Sequence, residues 1–175
     1  MLKALGNWGT LVVGPVALAA LTGCATMAAF HSSQGSKDKT ETTLGIYEQV
    51  DSGLPAETVQ SVIIPRTGLR LTISPYPTLS EQDVQSAEVY NTAGGKAIFL
   101  RFDPHGEIAL DELTTRLRDR YVVVMINKHP VSAWLVNQRI INGQFLVEGE
   151  FTDEDAKKIV DDLNKLSKNN PKNSP

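Results

Sequence analysis

Three histidines, a single cysteine and one run of three carboxylates are the residues of this 175-residue chain best suited to chemistry. A zinc site would need histidines or thiolates at ligand spacing, and His31, His105 and His129 show no such pairing. His105 and His129 each adjoin a proline in an expected turn, and His31 lies in a polar stretch. A nucleophile, base and orienting acid could be nominated as Ser132, His105 and Asp103. Asp103 and His105 are better used in a helix start, because Asp103-Pro104 supplies a cap followed by a proline at the first helical position. Asp153, Glu154 and Asp155 could hold a cation or act as general acid and base, but three acids in a first helical turn complement the helix dipole. The chain contains no G-x-S-x-G, P-loop or G-x-G-x-x-G pattern. The expectation is a protein without catalytic residues, metal or cofactor. A net charge of −3 gives no basic face for nucleic acid.

The one reactive group with a clear assignment is Cys24. Lys3, an apolar run from Leu11 to Leu21 and small residues thereafter form the layout of a secretory signal over residues 1–23. The run is shorter than the ~20 residues a spanning helix needs, and Gly14-Pro15 interrupts it. Leu21-Thr22-Gly23-Cys24 resembles the lipobox of bacterial lipoproteins, in which the cysteine thiolate takes up a diacylglyceryl group. Palmitate-class acyl chains on Cys24 would anchor the protein to a membrane. Ala25 after the cysteine points, by resemblance to the enterobacterial sorting rule, to the outer membrane and its periplasmic face.

Residues 24–43 are polar and aperiodic, as in a flexible tether, and 168–175 read as a disordered tail. The domain is expected over 44–167. Val59–Pro65 and Leu69–Pro75 read as strands around an Arg66-Thr67-Gly68 turn. Leu79–Tyr90 opens with the signature of a capped helix: Ser80 as N-cap, Asp83 three residues on, and Leu79 with Val84 as a staple. Lys96–Phe102 alternates as a strand, and the helix after Asp103 buries Leu110, Leu113 and Leu117. Tyr121–Asn127 is apolar throughout, the mark of a strand covered on both faces. Two further strands, Pro130–Val136 and Gln144–Phe151, precede a helix from Thr152 to about Ser167, with Asp153–Lys157 and Glu154–Lys158 as outward pairs. The fold class is α+β, a mixed β-sheet with helices packed mainly on one face.

From about Leu69 to Leu166 the chain resembles the head subdomain of the first large extracytoplasmic domain of SecD, part of the SecDF accessory complex of preprotein translocation. The resemblance rests on Ser80-Glu81-Gln82-Asp83, Gly95 before Ala97-Ile98-Phe99-Leu100, Gly106 with Leu113-Thr114, and Val122 to Asn127. It continues through Val131-Ser132-Ala133, Arg139-Ile140, Gly143, Val147, Gly149, Phe151 and Glu154-Asp155-Ala156. Asn127-Lys128-His129 replaces the family's Asp-Gly turn, and Trp134 stands where the family has proline. The resemblance implies a head module without the membrane helices that couple SecD to the proton gradient.

Two functions of different class follow. One is a lipid-anchored module that binds unfolded or exported polypeptide, or another envelope protein, accessory to export. Its apolar contacts would be Trp134, Leu135 and Ile140-Ile141, with Asn137, Gln138 and Arg139 as adaptable hydrogen-bonding groups. The other is an envelope lipoprotein with a structural or assembly role. On that reading Trp134 and Ile141 fill the core between sheet and helix, and for the stretch as a whole burial is the commoner fate of such residues.

Overall fold

The computed structural model describes residues 42–170; the signal segment, Cys24 and the tether to residue 41 lie outside them, as do residues 171–175. Strand β1 (Leu44–Glu48) is followed by a hairpin of β2 (Gln60–Ile63) and β3 (Arg70–Ile73), then the two-residue β4 (Leu79–Ser80). Next come β5 (Val84–Thr92), β6 (Gly95–Phe102) and helix α1 (Pro104–Arg116). The chain continues with β7 (Tyr121–Ile126), β8 (His129–Leu135), β9 (Gln144–Phe151) and helix α2 (Asp153–Asn169). One sheet runs β4-β1-β7-β8, a second runs β5-β6-β9, and the β2–β3 hairpin stands beside them. Each ladder is antiparallel.

The apolar run of β7 is covered on both sides, as its composition implies. Val122, Val124 and Ile126 enter the larger core with Leu110, Leu113 and Leu117 of α1, Ile98, Leu100 and Phe102 of β6, and Ile159, Val160 and Leu163 of α2. Val123 and Met125 enter a smaller core with Val62, Ile64, Leu71 and Ile73 of the hairpin. Both helices therefore share one side of the four-stranded sheet, and the hairpin covers the other. This is the α+β arrangement the sequence implies.

One element differs from expectation. The cap at Ser80 forms as read: its Oγ accepts from Gln82 N–H, and Asp83 Oδ2 accepts from Ser80 N–H at 2.8 Å. It starts only a single 3-10 turn, Glu81–Asp83, after which the chain runs extended as β5. No apolar stripe at helical spacing follows Val84, and Val89 and Tyr90 suit a strand. The hairpin with β6 then overrides the local cap signal.

The other caps stand where the sequence puts them. Asp103 accepts from Gly106 N–H at 2.7 Å, and Thr152 accepts from Asp155 N–H at 3.1 Å. Asp153, however, pairs with Lys96 of β6 at 3.2 Å rather than along its own helix with Lys157. Gly149 serves close packing: a Cβ there would lie 2.6 Å from Val131 Cγ1, where β8 and β9 touch. The β6–β9 register breaks at the same place. Asn127 and Lys128 take φ of 52° and 66° in the tight β7–β8 turn, the geometry that the family's Asp-Gly would satisfy with less strain.

Glu48 ties β1 to the last turn of α1. Arg116 grips both carboxylate oxygens, one at 2.8 Å, and Thr78 Oγ1 donates at 2.8 Å. The Arg116 hydrogen bond, opposed in part by desolvation, holds the Glu48 carboxyl below its ordinary value. A depressed native pKa stabilises the fold above the unfolded value and loses that contribution as pH falls through the native one. The stability gap between the natural chain and Arg116→Gln is thus expected to be widest near neutrality and to close on acidification below about pH 4. A gap in urea midpoints that stays constant from neutral to acid pH would show that Arg116 acts by packing alone.

Candidate functional site

The nominated catalytic residues do not assemble. Asp103 is buried in the α1 cap, and His105 Nδ1 lies 3.2 Å from Asp83 Oδ1. Ser132 sits on β8, opposite Val124 of β7, and no hydrogen bond among the described residues joins it to His105. The ligand atoms of Asp83, Asp103 and His105 come within 4.8 Å of one another. Both carboxylates are already used in caps, Asp83 accepting from Ser80 and Asp103 from Gly106. The acidic run at 153–155 is likewise explained by the start of α2.

What β8, β9 and the loop between them do form is a trough beside Trp134. The alternation of β8 puts Trp134 opposite Val122, on the larger-core side of the sheet. Its ring is half-buried and meets the Phe145 ring edge-on, with centroids 5.8 Å apart. Core packing thus holds one side of the indole while the other faces two adjoining clefts. The first, of about 420 Å³, is bounded by Phe99, Trp134, Gln138, Ile141 and Leu146. The second, of about 590 Å³, runs between Val131–Trp134 of β8, Leu146 and Glu148 of β9, and Ile64, Arg66 and Thr67 of the hairpin turn. Trp134 and Leu146 line both.

The other candidates divide. Gln138 and Arg139 reach the first cleft, but Arg139 is not free to adapt. It forms a two-point ion pair with Asp111 of α1, Nη2 to Oδ2 at 2.7 Å. That pairing lowers the Asp111 carboxyl and raises the Arg139 guanidinium. With Ile140 N–H on Thr114 Oγ1 at 3.0 Å, it pins the loop to the helix. Leu135 is exposed but lies outside both clefts, as does Asn137. Ile141, read as possible core, is 64% exposed at the rim.

Sequence reasoning passed over Phe99, Leu146 and Tyr90. They stand on the outer face of the three-stranded sheet, where Phe99 pairs across with Leu146 and its ring lies 6.4 Å from that of Tyr90. The signal was present in Lys96–Phe102: Ile98, Leu100 and Phe102 claim the core, so Phe99 must face outward.

Residues 57–165 match the family profile of the SecDF P1 head subdomain. The chain belongs to this family. Two solved structures share the P1 head fold. One, described as a membrane component SecDF that enhances protein export, is 18% identical with a TM-score of 0.55 over 71% of this chain and 62% of its own. The other, SecDF in a super-membrane-facing form, is 20% identical with a TM-score of 0.56 over 71% of this chain and 19% of its own. At these identities the likeness is one of fold. The chain corresponds to under two thirds of the length of either. No curated protein matches it in sequence. Among the described residues, no helix of this P1 head is long and apolar enough to cross a membrane.

Proposed function

We propose that the protein is a lipid-anchored envelope component whose P1 head binds exported polypeptide in the trough beside Trp134, as an accessory to protein export. The observation that carries this reading is the half-buried Trp134, held by Phe145 and open to both clefts. An apolar floor of Trp134, Phe99 and Leu146 with polar rims suits unfolded chain, which offers apolar side chains and no fixed shape. Membership of the P1 head family supports the link to export, since a solved SecDF is described as enhancing it. The lipobox ending at Cys24 supports an acyl anchor, and Ala25 supports the outer membrane.

A photoreactive amino acid placed at Trp134 in living cells tests the reading. Adducts to a range of exported proteins, lost when export is blocked, are the expected result. Adducts to one stoichiometric envelope protein would instead make this a structural or assembly lipoprotein, and none above background would remove the contact altogether. Cys24→Ser is expected to abolish incorporation of a palmitate analogue and free the protein from membranes; continued labelling would overturn the anchor.

A further inference from the structure

The three-stranded sheet has two edges, and the fold treats them differently. At β5 the edge is closed by α2: Asn164 exchanges two hydrogen bonds with the backbone of Ala87, at 2.8 and 2.9 Å, and Ser167 Oγ donates to Gln85 O. At β9 nothing comparable occurs. Phe102 N–H donates to Gly143 O, so the backbone groups of Leu100 and Ile98 also turn towards β9. Their partners Phe145 and Val147 answer them, which turns the N–H and C=O of Leu146 and Glu148 outward. No backbone partner within the described residues meets these groups. Leu146 and Glu148 are the β9 residues that border the trough on the side of β8.

The facing strand is open as well. Tyr121 directs both its N–H and its C=O to Gln49, so Val122 and Val124 face β8. Trp134 and Ser132 then turn inward, and Ala133 outward. The two strands touch at Gly149 and Val131 but form no ladder with each other. Pro130 blunts β8 only at its hairpin end.

From these edges we infer that the exported polypeptide binds as an added strand, its main chain pairing with Leu146 and Glu148 of β9 along the trough. The inference rests on the polypeptide-binding reading above and specifies its chemistry. Unmet main-chain donors and acceptors call for another main chain in extended form, which is why the occupant is a peptide segment and not a small apolar ligand. Cross-strand neighbours share a face, so alternate guest side chains would lie beside Leu146 and Phe99, and the others beside Phe145 and Trp134. Both faces are apolar at the centre. The favoured segments are therefore β-prone and apolar, without a fixed sequence.

The test is binding of a fluorescent peptide of about eight residues, alternating valine and threonine, to the full-length protein by anisotropy. Two further peptides carry N-methyl groups on alternate residues, one on each set. One of the two is expected to bind at least about tenfold more weakly, the loss of one to two main-chain hydrogen bonds. Glu148→Pro, which deletes an outward N–H, is expected to weaken the parent peptide similarly, and by more than Glu148→Ala, which trims the side chain but keeps that N–H. If both methylated peptides bind as well as the parent, strand addition is wrong and polypeptide binding stands. If the parent itself does not bind, the polypeptide-binding reading falls and this inference with it.

Discussion

Leu113→Ala is expected to lower the free energy of unfolding by about 3–4 kcal/mol, read as a fall in urea midpoint at unchanged slope. Leu113 is fully buried on the inner face of α1, in the core that also takes in Val122, Leu100 and Leu163. It thus stands where both sheets and both helices converge. A rigid core around it cannot collapse into the vacated volume, which adds a cavity cost to the lost transfer energy. Against a typical total of about 5–15 kcal/mol, such a loss leaves the domain marginal. Ile108, on the same helix but 61% exposed, supplies the control, and its alanine variant should unfold like the natural chain. A loss under about 1 kcal/mol at Leu113 would mean that the core around α1 repacks freely.

How much of this was legible in the sequence depended on whether the signal was local. The caps at Asp103 and Thr152, the stripe Leu110–Leu113–Leu117 and the doubly covered β7 are written in a few adjacent residues, and each appears as read. The Ser80 cap was equally local and equally present, yet the segment after it became β5. Its conformation is decided by β6 and by α2, the latter some eighty residues away in the chain. The trough follows the same division. Trp134 stood out through its type and its replacement of a family proline, but the opposite wall, Leu146 and Phe99, exists only once β9 pairs with β6. Arg139 illustrates the converse. It reads as an available donor in sequence, while Asp111, 28 positions earlier, already occupies it.

Asn164→Ala is expected to cost about 2–3 kcal/mol, and its consequence reaches beyond stability. The Asn164 amide imitates one residue of a missing strand, giving an acceptor to Ala87 N–H and a donor to Ala87 C=O. Ala87 is 2% exposed, so removing the amide strands two backbone groups where water replaces it poorly, at about 1–3 kcal/mol for each group left unmade. Asn164→Asp keeps the acceptor but sets an anion against the Ala87 carbonyl, and should not restore the loss. Thermal unfolding measures the cost; a variant within about 0.5 kcal/mol of the natural chain would show that water replaces the amide. The variant also uncovers the β5 edge, so sedimentation is expected to show more concentration-dependent association than the natural chain does. That outcome bears on the trough. A fold that commits a helix residue to closing one sheet edge, and leaves the Leu146–Glu148 edge open beside a half-buried tryptophan, has not left that edge open for want of a way to close it.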